Sequence, residues 1–196
     1  MAIGFWQTLA TLQTPGTALT AAARASLTQG GAATGARFTL PGNALKTPGD
    51  QLRVYATGII SCVVTTPGTA RFDLSMGGTA KLDTQAMVLN IVARTSVPWV
   101  LDMTATLTTP GTGAAWNFTG VWLSEAMINT ALQATGPGPG GTIVPYSGTA
   151  TGASTAGTTF DSTVSNLLDL NFTQTVATGS CTLQQMNISI LTATGF

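Results

Sequence analysis

A two-residue alternation of apolar and polar side chains, cut at intervals by Thr-Pro-Gly, constrains this chain more than any other feature. In the run 69–76, Ala70, Phe72, Leu74 and Met76 fall on one side, and Thr69, Arg71, Asp73 and Ser75 on the other. Successive side chains of a strand point to opposite faces, so the pattern describes a strand with one face in a core. The run 99–108 repeats it, with Trp99, Leu101, Met103, Ala105 and Leu107 inward and Asp102 and Thr104 outward. A third run carries Trp116, Phe118, Gly120 and Trp122 in phase, and a longer one over 52–64 carries Leu52, Val54, Ala56, Ile60 and Cys62. Near the C-terminus, Leu168, Leu170 and Phe172 alternate with Asp169, Asn171 and Thr173. The last run starts in one phase with Cys181 and Leu183 and ends in the other with Met186, Ile188 and Ile190. One extra residue, a β-bulge near Gln184 or Gln185, produces such a flip.

Turn chemistry separates these runs. Thr-Pro-Gly occurs at 14–16, 47–49, 66–68 and 109–111. Pro at the first corner and Gly at the second suit a type II turn, because Gly accepts positive φ without a steric penalty. Met76-Gly77-Gly78-Thr79 reads as a tight hairpin. Helical signal is thin: Ser124 can cap a short helix over 124–133, and 18–26 can form another. The stretch 134–159, rich in Gly, Pro, Thr and Ala, is expected to be a long loop without a regular element.

Seven or eight strands between Gly and Pro turns predict an all-β fold, an antiparallel β-sandwich, with a jelly roll as the preferred topology. The division expected is an N-terminal arm at 1–34 and a sandwich domain at 35–196. In the arm, Phe5, Trp6, Leu9 and Leu12 are apolar with no evident local partner, which marks them as candidate interface residues. The arm can equally fold back on its own domain. In a jelly roll the second and last strands run side by side, so Cys62 and Cys181 are expected as near neighbours in the core, within disulfide reach but reduced in a cytoplasm.

Composition narrows function. Apolar residues make up 44% of the 196, enough for a substantial core. Charged residues make up only 7%, against roughly 25% in ordinary soluble domains. Seven basic and seven acidic residues cancel, leaving little charge to keep a single copy dispersed. The preferred expectation is that much of the surface lies against neighbours; the alternative is that Thr, Ser, Asn and Gln hydrate it well enough. The basic residues are scattered singly, so no phosphate-binding cluster forms and nucleic acid is not an expected partner. Residues 1–10 lack the pattern of a secretory signal, no apolar run is long enough for a membrane span, and the two cysteines, Cys62 and Cys181, are too few for a disulfide framework, so synthesis in a reducing cytoplasm with free thiols is expected.

The chain contains no histidine, the commonest general base and metal ligand. Cys62 falls on the inward face of a strand and reads as an inert core thiol. Asp73, Asp83, Asp102 and Asp169 are the only candidates for a catalytic carboxylate pair, and each reads as a lone, solvated carboxylate. Trp99, Trp116 and Trp122 fall in phase with the core. The expectation is a protein that is not an enzyme, with no catalytic residue, no cofactor and no metal site.

The runs Gly35-Ala36-Arg37-Phe38-Thr39-Leu40-Pro41-Gly42-Asn43-Ala44-Leu45 and Gly49-Asp50-Gln51-Leu52-Arg53-Val54 resemble a module of tailed-bacteriophage virion proteins. Thr69 to Asp73, Met76-Gly77-Gly78, Leu82-Asp83-Thr84 and Phe172 to Ser180 are similar to it too. The likeness spans roughly 35–190 and marks strands and turns. It implies a virion structural protein without settling head or tail; low charge, the apolar arm and the lack of an active site favour a capsid decoration or cement subunit, a homo-oligomer and most simply a trimer, bound to major capsid protein. A tail, collar or fibre-associated protein that binds a receptor is the alternative.

Overall fold

The computed structural model describes residues 6–12, 14–28, 37–63, 68–84, 86–128, 142–147, 159–177 and 179–192. Every regular element among them is a strand: β1 (Trp6–Thr11), β2 (Arg24–Ser26), β3 (Phe38–Leu40), β4 (Gln51–Cys62), β5 (Thr69–Met76), β6 (Thr79–Asp83) and β7 (Met87–Leu89). The remainder are β8 (Arg94–Thr109), β9 (Ala114–Ser124), β10 (Met127–Ile128), β11 (Thr142–Ser147), β12 (Thr159–Phe160), β13 (Asn166–Gln174) and β14 (Ser180–Leu191).

They form two antiparallel sheets. The first has the order β1-β14-β4-β8-β9-β11, with β12 also on β9. The second has the order β10-β7-β5-β13-β2, with β3 also on β13 and β6 also on β5. The inward rows are those of the alternation: Leu52, Val54 and Ala56 of β4, Leu101 and Met103 of β8, and Leu168, Leu170 and Phe172 of β13 are at most 1% exposed. Phe72 of β5 joins the sheets, its ring 4.6 Å from Trp99 of β8 and 4.8 Å, edge-on, from Trp122 of β9. Trp99, Trp116 and Trp122 are all buried, as their phase requires.

Local geometry follows the turn residues. At Thr47-Pro48-Gly49-Asp50 the Asp50 amide donates to Thr47 O at 2.9 Å and Gly49 takes φ 99°. That is a type II turn with Gly at the corner that needs positive φ. Gly77 and Gly78 both have positive φ, as a type I′ hairpin requires. The β14–β4 register slips between Leu183 and Gln185, where the change of phase places a bulge.

Three expectations are corrected. No helix forms over 18–26, where the chain turns and enters β2, nor from Ser124, which ends β9 and leads through a turn into β10; residues 129–133 lie outside those described. Local propensity there yields to main-chain pairing with β13 and β7. Within 134–159, Thr142–Ser147 is a regular strand, paired with β9 from Thr142 opposite Ser124 to Ser147 opposite Thr119. The open edge of β9 supplies hydrogen bonds that composition cannot reveal. The Gly-Pro run 136–141 lies outside the described residues.

Residues 6–12 and 14–28 lie along their own domain. β1 pairs with β14, and Leu9 and Leu12 pack partly buried against the core, while Trp6 is 45% exposed. Phe5 lies outside the described residues.

Candidate functional site

Asp73, Asp83 and Asp169 are on the outward rows of β5, β6 and β13, yet they are only 1%, 2% and 7% exposed. The expectation of solvated carboxylates is thus corrected for these three. Edge strands β2 and β3 extend the second sheet beyond β13, and side chains of Arg24, Arg37 and Arg71 reach these carboxylates. Arg24 of β2 donates from Nε and Nη2 to Asp73 at 2.9 and 2.6 Å, a two-pronged ion pair. Asn171 Nδ2 donates to the same Asp73 Oδ1 at 3.3 Å. Asp169 accepts from Ser26 Oγ at 2.6 Å, from Thr28 Oγ1, and from Arg37 Nη2 at 3.1 Å. Arg71 Nη1 donates to Asp83 at 3.1 Å. A charged group this far from water is stable only with such partners.

The remaining acids are also engaged. Asp50 accepts the amides of Lys46 and Thr47 at 2.9 and 2.8 Å, holding the β4 entry turn. Asp102 takes a two-pronged pair from Arg53 at 3.0 and 2.6 Å. Asp161 accepts from the Thr163 hydroxyl and amide, which hold its carboxyl below the ordinary value. Glu125 lies 4.0 Å from Arg94. Six of the seven carboxylates are thereby hydrogen-bonded within the chain, and Glu125, its side chain 44% exposed, lies beyond hydrogen-bond distance of Arg94. Their hydrogen bonds raise the Arg24 and Arg53 guanidinium groups still further above an already high value. A carboxylate saturated by fixed donors is a structural acceptor and a poor proton donor.

Both cysteines are free and buried. Cys181 stands opposite Ile60, so Cys62 is its diagonal neighbour on the adjacent strand. Such diagonal positions are about 7–8 Å apart, beyond ordinary disulfide reach. Burial pushes both thiols up, Cys181 well above its usual range. Cys62 Sγ is turned toward Asn90 O at 3.6 Å. Among the described residues no group of three or more His, Cys, Asp or Glu is placed to hold a metal, and no helix is long and apolar enough to cross a membrane.

The surface with contact chemistry is the outer face of the first sheet. Cross-strand register sets Asn187, Tyr55, Asp102 and Val121 in one row, and Ser189, Arg53, Thr104 and Thr119 in the next. An open depression of about 460 Å³ lies between Tyr55, Val100, Asp102, Thr119, Val121 and Leu123. A second, of about 320 Å³, lies between Tyr55, Arg53, Asn187 and Ser189. Tyr55 is the ridge they share. It is 39% exposed and Val121 37%. The only charges on these rows, Arg53 and Asp102, cancel in their pair. A neutral face with a central tyrosine suits recognition by shape and apolar burial more than by charge. Period-two phase set Asp102 and Thr104 of this face outward, but only strand order set Tyr55 between Asn187 and Asp102.

Searches against protein-family models, curated proteins and solved structures returned no match.

Proposed function

We propose that this chain is a non-enzymatic virion structural protein, a capsid decoration or cement subunit that stabilises a tailed-phage head by binding major capsid protein. The single observation that carries the reading is a division of labour on the surface. Six of the seven carboxylates are hydrogen-bonded within the chain, while the outer face of the first sheet presents a neutral aromatic and aliphatic ridge at Tyr55. The low charge and the resemblance over 35–190 point the same way.

The mechanism is linkage. A subunit that binds only the assembled shell lowers the free energy of that shell, and many copies multiply a modest interface. Binding through a neutral face makes association depend weakly on salt. Imaging intact particles tests the reading: it expects one subunit, or one trimer, at each equivalent site of the head lattice. Finding the chain only at the tail or collar overturns it in favour of the alternative, a tail or fibre-associated protein whose Tyr55 depressions would hold a receptor.

A further inference from the structure

Residues 6–12 and 14–28 form one strap along the edges of both sheets. β1 lies on β14 from Trp6 opposite Leu191 to Thr11 opposite Asn187. The strap then continues down the same strand: Leu12 N donates to Met186 O, Gly16 N to Leu183 O, and Leu19 and Cys181 exchange both amide bonds at 2.8 and 3.0 Å. It next crosses to the other sheet, where β2 lies on β13 and Leu27 N donates to Leu170 O at 2.8 Å. β3 takes over on that edge, with Phe38 opposite Leu168. β2 and β3 are thus collinear halves of one edge strand. Between Leu27 and Phe38 the partner strand advances two residues, about 7 Å. The eleven residue steps that join the two halves could span about 36 Å. A continuous edge strand needs no such slack.

We propose that the strap is exchangeable, and that in the assembled state residues 6–28 of one copy occupy the β14 and β13 edges of a neighbouring copy. The occupant is identified by what already fills the slot. A second copy offers the same main-chain register, the same Arg24 for Asp73, and the same Ser26 and Thr28 for Asp169. The slot cannot stay empty, because that would strand two buried carboxylates without these partners. The strap itself buries little: Leu9, Ala10, Leu12 and Leu19 are only partly buried, and Leu27 is its one fully buried apolar side chain. Releasing it withdraws one member, Leu27, from the buried core. The contacts are equivalent within or between copies, so local concentration decides the exchange, which is the physics of domain swapping. The inference needs only a second copy and does not depend on a virion.

A cysteine pair tests it. Thr8 stands opposite Ser189 across the β1–β14 ladder. The double variant Thr8→Cys/Ser189→Cys is oxidised at assembly concentration and run on a non-reducing gel, and the 8–189 linkage is mapped by mass spectrometry. Exchange gives products of twice the chain mass or larger, joined between copies. Co-expressed single variants Thr8→Cys and Ser189→Cys then give the same joined product. Cross-linking confined to single chains, with no product from the mixed variants, overturns the exchange. Absence of any 8–189 linkage overturns it too, because the strap register itself would be wrong. An oligomer that forms while all linkages stay within chains refutes the exchange and leaves the proposed function standing.

Discussion

Asp73 and Asp83 stand directly opposite each other on neighbouring strands β5 and β6, and both are almost fully buried. Like charges at such a position repel. Each is answered by its own arginine: Asp73 by Arg24, which comes from the strap, and Asp83 by Arg71, which comes from β5 itself. A residue of the first 30 therefore helps to stabilise a hairpin more than forty positions later.

Removing that arginine has a defined cost. Arg24→Ala is expected to destabilise the fold by about 2 kcal/mol, the scale for losing a charge-assisted hydrogen-bonded pair whose cation is partly exposed. Adding Asp73→Asn to the same variant should recover part of that loss, because no unpaired buried charge is left. Urea denaturation of both variants reads the difference; equal losses would mean that the pair matters only for packing.

Phe72 is the contact that joins the sheets, touching Trp99, Trp122 and Phe172. Phe72→Ala should cost roughly 3–5 kcal/mol through lost burial and the cavity left behind. Loss of the near-ultraviolet circular dichroism of the tryptophans should accompany the fall in stability.

Gly58 lies mid-strand in β4 because nothing larger fits. A Cβ there would run into Thr182 O and come within 2.7 Å of the Trp99 indole, whose Nε1 donates to Ile59 O at 3.3 Å. Gly58→Ala should cost roughly 1–3 kcal/mol by overpacking, although alanine usually suits a strand better than glycine. A thermal melt that rose or stayed level would show that β4 and β14 can part without cost.

The thiols set an alkaline limit. Burial holds the folded Cys181 thiol above its ordinary value of 9.0, so on raising the pH the unfolded thiol ionises first. Stability from this group is complete below about pH 9 and is lost as pH climbs toward the folded pKa. Cys181→Ala should flatten the alkaline slope of Tm against pH, and a thiol reagent should react with the native protein far more slowly than with the unfolded chain.

If the proposed function holds, Tyr55 separates assembly from folding. Tyr55→Ala should change stability by no more than about 0.5 kcal/mol, as an exposed outward side chain does. It should nevertheless weaken binding to purified heads by roughly tenfold or more, the scale of a central aromatic contact. Titrating heads with the variant and following the bound fraction measures it.

The sequence by itself determined the strands that face the core, the turns and the bulge. Alternation, a Gly at positive φ and a change of phase between Leu183 and Met186 are local facts, legible because a side chain's face depends only on its place in its own strand. Tertiary structure alone decided what covers the outer faces. Asp73 and Asp169 occupy outward positions, yet they are buried by Arg24, 49 residues away, and Thr28, 141 residues away. No local pattern encodes such pairings, nor the choice of β9 as the partner of Thr142–Ser147, nor the row that places Tyr55 between Asn187 and Asp102. Main-chain hydrogen bonds accept almost any side chain, so which strand lies on which edge is settled by the packing of the whole sandwich.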